Sequence, residues 1–248
     1  RTRERYESAF NEQPFASLRA LVVIETRPEH ILTTLQGGTV STNIFMRRLH
    51  SFAISMGWLP WPILAYKQWP RIHFESRRAI SPSEAAMLVA AERDPEWRDY
   101  LELLWHVGAA QVDLAALTAE DVNWTDRTIS YNRRKNGKLA ILRFGVQVEA
   151  IFKRLPDHGP LFPHYSRISS ADRATRFNKR CKKLRIAGVS LHSYRYAWAE
   201  RARAAGYPER YAMEALGHSS AAVSRFYAKG ARVDATPLED FESPLSTV

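Results

Sequence analysis

Apolar positions recur at helical spacing along most of this chain and change to a strand-like rhythm in one place. From residue 1 to about 57 the pattern reads as helices separated by short breaks. Pro14 precedes a stretch from Phe15 to Val23, Pro28 opens one from Glu29 to Leu35, and Gly37-Gly38 leads into a longer amphipathic stretch from Thr42 to Met56. Thr26-Arg27-Pro28-Glu29 supplies a cap, an early proline and an early acid, the signals of a helix start. Pro60, Pro62 and Pro70, interleaved with Trp58, Trp61 and Trp69, predict a packed connector without regular structure, followed by a basic linker from Arg71 to Arg78. Ser81-Pro82-Ser83-Glu84 restarts helix, which continues through Trp105.

Between Val122 and Phe144 the rhythm shortens. Asp121 to Trp124, Thr128 to Tyr131 and Leu139 to Leu142 are β-prone runs, and Asn136-Gly137 between the last two is a hairpin signal. Helices then return around Val146 to Leu155, Ala174 to Leu184, Ser193 to Ala205, Pro208 to Leu216 and Ala221 to Tyr227. The expected fold class is mostly α with a small antiparallel β-sheet, in two domains: 1–72, helical, and 79–248, carrying the sheet. No repeat or low-complexity tract interrupts this plan.

Composition narrows the partners. A chain of 248 residues has room for one or two cores, and 36 Lys and Arg against 26 Asp and Glu give a net charge of +10. That excess favours a polyanion such as nucleic acid, although a solvated basic surface looks the same without motifs. The single cysteine, Cys181, excludes an internal disulfide, disfavours a zinc site and suits a reducing cytosol. Apolar runs such as Leu18 to Ile24 and Ala85 to Ala91 fall far short of the ~18 residues a membrane helix needs. The opening residues are charged instead of signal-like. A cytoplasmic protein with no membrane partner is expected, and the start at Arg1 instead of Met reads as a preceding piece removed or unseen.

The chemistry-bearing residues cluster near the end. His192 and Arg195 stand three apart in Leu191-His192-Ser193-Tyr194-Arg195, His218 follows in Leu216-Gly217-His218-Ser219, and Tyr227 comes nine residues after that. Each has a bland alternative: a helix-capping histidine, a surface ion pair, a chance Gly-His, a half-buried aromatic with Phe226 doing the packing. In register they resemble the closing half of the tyrosine recombinase (phage integrase) family. The resemblance is tight from Leu191 to Tyr227 and looser elsewhere.

The resemblance implies a helical core-binding domain over 1–72 and a catalytic domain with a C-terminal tail over 79–248. It implies phosphoryl transfer from DNA to Tyr227 through a 3′-phosphotyrosyl intermediate, with no metal or nucleotide cofactor. A phenol of pKa near ~10 is a weak nucleophile at neutral pH. The site must therefore hold the phosphorane's charge, position the attacking oxygen and protonate the departing 5′ oxygen. By the resemblance, Arg195 donates to the scissile phosphate and His192 donates or takes the tyrosine proton. His218 faces the phosphate, and Lys135, with Lys138 as competitor, is the general acid. Tyr194, Tyr196, Tyr207 and Tyr211 lack the offset from His218 and read as core or surface.

One expected residue is missing. In Gly108-Ala109-Ala110-Gln111-Val112-Asp113-Leu114 the family pattern calls for an arginine where Ala110 stands, while Leu117 and Glu120-Asp121-Val122 continue to match. Ala110 was introduced to trap a complex, or Gln111, Arg133 or Arg134 covers the contact, or the protein binds DNA without cutting it.

Further DNA contacts are expected from Arg173, Arg176, Lys179, Arg180, Lys182 and Lys183 on one basic segment, whose cations repel unless a polyanion relieves them. In the first domain Thr42, Asn43, Arg47 and Arg48 resemble the family's core-binding contacts. Double-stranded DNA and a homo-tetramer on paired sites are the implied partners, with tail residues such as Leu238-Glu239-Asp240-Phe241 packing on a neighbour. A non-catalytic recombinase-derived DNA-binding protein and, more weakly, a tyrosine-type topoisomerase are the competing functions.

Overall fold

In the computed structural model, which describes residues 2–72, 78–218 and 220–231, the chain divides into two units, Arg1–Ser76 and Arg77–Val248. Most of the basic linker and the whole of the tail segment around Leu238 lie outside the described residues. The fold is helical with one three-stranded antiparallel sheet, as expected. Among the described residues no helix is long and apolar enough to cross a membrane.

The first unit holds α1 (Thr2–Asn11), α2 (Ala16–Arg19), α3 (Pro28–Gln36) and α4 (Val40–Ser55), with Phe15, Ile31, Phe45, Met46 and Leu64 in its core. The continuous helix expected from Phe15 to Val23 does not form. Helix α2 stops at Arg19, with 3-10 turns over Gln13–Phe15 and Val23–Glu25 on either side. Arg19 donates back to the carbonyls of Phe10 and Glu12 at 2.6 and 3.3 Å, which closes the end of α1, and the β-branched run Val22-Val23-Ile24 resists helix. Helix α4 starts at Val40 because Thr39 caps it, its N–H donating to the Thr42 hydroxyl at 2.9 Å.

The second unit opens with α5 (Pro82–Ala90), α6 (Pro95–Val107) and α7 (Gln111–Leu114). Ser81 and Glu84 form a reciprocal cap around Pro82 at the start of α5. Arg78 grips Glu84 with two hydrogen bonds of 2.7 Å and holds its carboxyl down at about 2. Helix α6 buries Trp97, Tyr100, Leu101 and Leu104, an apolar stripe at i, i+3, i+4 and i+7. It ends at Gly108, whose φ of +66° is the left-handed conformation glycine adopts freely, and a Cβ there would meet Trp198 at 2.6 Å.

The sheet follows as β1 (Val122–Asn123), β2 (Thr128–Asn132) and β3 (Leu139–Arg143). Strand β2 pairs with β3 from Thr128↔Arg143 to Asn132↔Leu139, and the hairpin signalled by Asn136-Gly137 forms with Gly137 at φ +69°. Ile129 and Tyr131 face inward on β2, and the same period of two places Arg133, just past the last strand residue, inward as well. Arg134 and Lys135 are exposed. The remaining helices are α8 (Val146–Phe152), α9 (Pro163–Arg167), α10 (Ser170–Lys183), α11 (Ser193–Ala204), α12 (Glu209–Leu216) and α13 (Ala221–Tyr227). Helix α11 lies against α6 and α13, and Trp198 on α11 donates to the carbonyl of His106 at 3.0 Å.

Candidate active site

Helix α11 has no ordinary cap. His192 occupies its N-cap position yet makes no capping bond; its Nε2 lies 2.8 Å from the hydroxyl of Tyr227 instead. One turn on, Arg195 is buried, 8 % exposed, and reaches two carbonyls, that of Gly108 at 3.0 Å and that of Leu216. Its guanidinium carbon stands 5.6 Å from the centroid of the Tyr227 ring. The i, i+3 spacing on one helix therefore delivers both side chains to one phenol.

His218 arrives from the turn between α12 and α13. Gly217 ends α12 at φ +62°, and the His218 ring stands 4.5 Å from the ring of Tyr227. Both His218 ring nitrogens are buried and unpartnered among the described residues. Burial pushes its imidazole down to about 4, with further lowering by Arg195, Arg133 and His192, so it is neutral at pH 7. Burial likewise lowers the Arg195 guanidinium from its usual range, and the guanidinium of Arg133 adds to this.

Tyr227 is half-buried, whereas its neighbour Phe226 is 54 % exposed, so the packing role falls to Tyr227 itself. The Tyr196 ring stacks on it at 4.6 Å and an angle of 17°. The sequence reads Tyr196 as core or surface, and it is buried; its distance of four residues from His192 along a helix is the signal that also places it on the face of the cluster.

Lys135 is exposed in the β2–β3 turn, and no hydrogen bond or ion pair joins it to the cluster among the described residues. Arg133, two residues earlier, is buried and reaches the cluster, donating to the carbonyls of Glu214 and Ala215 at 2.7 and 3.0 Å. Of the other residues weighed for the missing arginine, Arg134 is exposed and Gln111 is half-buried with an unpartnered Oε1. Ala110 is the residue before α7.

The basic segment divides. Arg173 is buried and bonds the carbonyls of Tyr165 and Ile168 at 2.5 and 2.7 Å, while Arg176 and Arg180 converge on the buried Glu92 at 3.1 and 3.0 Å. Glu92 thus relieves repulsion that the sequence assigned to a polyanion. Lys179, Lys182 and Lys183 are exposed and form no ion pair among the described residues. In the first unit, Thr42 is 1 % exposed with its hydroxyl engaged at the Thr39 cap. Asn43 accepts from Arg47 at 2.7 Å, and Arg47 stacks 4.8 Å from the Trp69 ring centroid. Arg48 donates to the hydroxyl of Tyr6 at 2.6 Å.

Among the described residues, no group of His, Cys, Asp and Glu is arranged to hold a metal ion. Cys181 is buried in α10, and burial pushes its thiol up to about 11, an unreactive cysteine.

Comparison with solved structures finds the same fold in a lambda integrase dimer bound to a COC′ core site, at 17% identity and a TM-score of 0.76, over 96% of this chain and 74% of that one. The Tn1549 transposon integrase in complex with circular intermediate DNA matches at 13% identity and a TM-score of 0.68, over 98% of this chain and 92% of that one. A lambda integrase tetramer bound to a Holliday junction matches at 17% identity and 0.71, over 96% and 74%. A comparison with curated protein sequences finds no match. The sequence profile of the phage integrase family matches residues 80–232, more than half of the chain and all four of the clustered residues, and the chain belongs to that family.

Proposed function

We propose that this chain is a site-specific DNA recombinase that breaks and rejoins strands through Tyr227. The observation that carries the reading is the 2.8 Å contact between His192 Nε2 and the Tyr227 hydroxyl, with Arg195 and His218 beside the same ring. The Tyr227 oxygen attacks the scissile phosphorus as the bond to the 5′ oxygen breaks, leaving a 3′-phosphotyrosyl link and a 5′ hydroxyl. The phenolic proton passes to His192, for which Nε2 is within reach. Arg195 and neutral His218 donate to the non-bridging oxygens as their charge grows. Lys135, on a turn tip and a flexible stem, protonates the 5′ oxygen. Reversal of the same steps rejoins the strand, so the energy of the broken bond is kept in the link.

In this reading residues 1–72 form the core-binding domain and 79–248 the catalytic domain, acting on double-stranded DNA as a homo-tetramer on two paired sites. The lambda integrase tetramer on a Holliday junction supports that assembly by analogy of fold. Arg47, Arg48, Lys179, Lys182 and Lys183 contribute phosphate contacts; Arg173, Arg176 and Arg180 hold the fold beneath them. The chain acts in the cytoplasm, on DNA of a mobile element.

Ala110 favours a second reading, a protein that binds DNA without cutting it. Covalent capture separates the two. Duplexes selected from random sequence for binding are nicked so that a cleaved strand escapes, and adducts are scored on denaturing gels. The unsubstituted chain is expected to form adducts, with Tyr227→Phe binding the same duplex and forming none. Binding without adducts supports the second reading, and adducts persisting in Tyr227→Phe mean that another nucleophile acts.

A further inference from the structure

Two guanidinium groups sit inside this site without a carboxylate between them. Arg195 and Arg133 are 8 and 6 % exposed, and neither forms an ion pair among the described residues. The Asp113 carboxylate, buried near the same Tyr131, accepts the backbone N–H of Arg134 on Oδ1 at 2.9 Å and forms no ion pair with either arginine. The two cations are close enough that Arg133 lowers the charge affinity of Arg195, and both depress His218. Burying like charges together without an ion pair is unfavourable, and the carbonyls of Gly108, Glu214, Ala215 and Leu216 offset it only in part. The half-buried Arg176 and Arg180 share the carboxylate of Glu92, whereas the other buried arginine, Arg173, is held by the carbonyls of Tyr165 and Ile168 alone, its Nη1 donating to both.

The backbone aims Arg133 here. Its own N–H donates to the carbonyl of Lys138 at 2.9 Å and its carbonyl accepts from Gly137 at 2.8 Å, so the turn is closed beneath it. Asp113 ties the next residue of that turn to α7, the helix that Ala110 precedes. Gly217 leaves the space: a Cβ there would lie 2.5 Å from the Arg133 Nε. Only Nη2 is engaged, on the Glu214 and Ala215 carbonyls, while Nε and Nη1 have no partner among the described residues. The Tyr131 hydroxyl and both His218 nitrogens, buried nearby, are also unpartnered. Unpartnered donors on Arg133, on Tyr131 and on one nitrogen of neutral His218, beside two buried guanidinium groups, describe an anion site.

We propose that Arg133 is a catalytic residue that contacts the scissile phosphate, forming with Arg195 a two-arginine clamp and taking the role the family gives to an arginine at position 110. The proposal rests on the strand-cleaving reading above. Arg133 reaches the phosphate from the hairpin, and the position at Ala110 is thereby released from supplying the charge.

Two measurements test it. Orthovanadate, which adopts the five-coordinate geometry of a phosphorane, is titrated into the full chain by calorimetry. Arg133→Gln keeps a stem and a donor for the Glu214 and Ala215 carbonyls, and is used beside Arg133→Ala in case the latter unfolds. Loss of one charge-assisted contact is expected to weaken vanadate roughly 10- to 100-fold in Arg133→Gln, with Arg134→Gln unchanged. Single-turnover adduct formation is then compared on duplexes carrying a phosphate or an uncharged methylphosphonate at the scissile position. Arg133→Gln is expected to be about 10² to 10³ slower on phosphate and equal to the unsubstituted chain on methylphosphonate.

Vanadate binding unaffected by Arg133→Gln, or slowing by the same factor on both substrates, returns Arg133 to capping α12 and overturns the proposal. Absence of vanadate binding by the unsubstituted chain does the same. Absence of any adduct from the unsubstituted chain overturns the cleavage reading instead, and the vanadate titration alone then decides whether Arg133 holds an anion.

Discussion

His218 makes the stability of this protein depend on pH between 6.5 and about 4, a window it shares with His50 and His106, whose imidazoles burial also lowers. Its imidazole has a folded value of about 4 against 6.5 for the free side chain, because burial and then the charges of Arg195, Arg133 and His192 disfavour the proton. Above pH 6.5 neither folded nor unfolded chain protonates it, and the full stability is present. As pH falls from 6.5 toward 4 the unfolded chain takes up a proton that the folded chain refuses, so stability declines with falling pH. At ~1.36 kcal/mol per pH unit the ceiling is about 3 kcal/mol, and solvent screening of a partly exposed ring lowers the expected loss to about 1 to 3 kcal/mol. Urea unfolding of the chain and of His218→Asn at pH 7.5, 6.0 and 5.0 measures it. The Asn variant is expected to lose less stability between pH 7.5 and 5.0. Glu84, held at about 2, contributes its own acid-side loss below the carboxylate range and is common to both proteins. The histidine resonances followed by NMR give the second readout: vanadate in the clamp offsets the arginine charges and raises the His218 value. Titration of His218 near 6.5 in the free protein, or equal pH slopes for both proteins, would refute the reasoning.

Gly217→Ala places a methyl group against Arg133 in a left-handed backbone position, and a destabilisation of about 1 to 3 kcal/mol by urea unfolding, with weakened vanadate binding, is expected. Ala110→Arg adds a third guanidinium beside Arg133 and Arg195 and is expected to give no gain in single-turnover cleavage; a rise of about 10² would show instead that Ala110 leaves a deficit. Lys135→Ala is expected to slow cleavage by about 10² to 10⁴ on an ordinary duplex and to recover on one whose 5′ leaving oxygen is sulfur, since a thiolate departs without a proton. Lys182→Ala is expected to reduce the salt slope of log K by ~0.9, whereas Arg176→Ala acts chiefly on stability, by leaving Glu92 buried with one cation fewer.

What the sequence made legible was local. The cap at Ser81, the turn at Asn136-Gly137 and the His192–Arg195 pair are each set within one element or across one turn, where spacing translates directly into geometry. His218 and Tyr227 meet that pair only through the packing of α12 and α13 on α11, and are legible through their register with the family pattern. The Phe15 to Val23 stretch failed because its apolar run satisfied helical spacing while Arg19 was drawn to the end of α1, a contact that pattern does not encode. The basic segment of α10 illustrates the same limit: its cations look alike in sequence, and Glu92, 84 residues before Arg176 and 88 before Arg180, decides which of them are engaged.

Arg133 stands between these cases. In Arg133-Arg134-Lys135 three cations in a row read as a solvated turn, and charge alone gives no reason to separate them. The strand's period of two does: Ile129 and Tyr131 are buried, so the next inward position is Arg133, and Arg134 must point away. That step of inference fixes the direction of the side chain but not its destination. The destination depends on Gly217, 84 residues later, having no side chain, and on Asp113 engaging the turn from the other side. A site that loses an arginine from one wall can then regain the charge from another, provided a strand already points into it and a glycine leaves the room. The absence of a motif residue is accordingly weak evidence for lost chemistry until the inward-facing cations of the neighbouring strand have been accounted for.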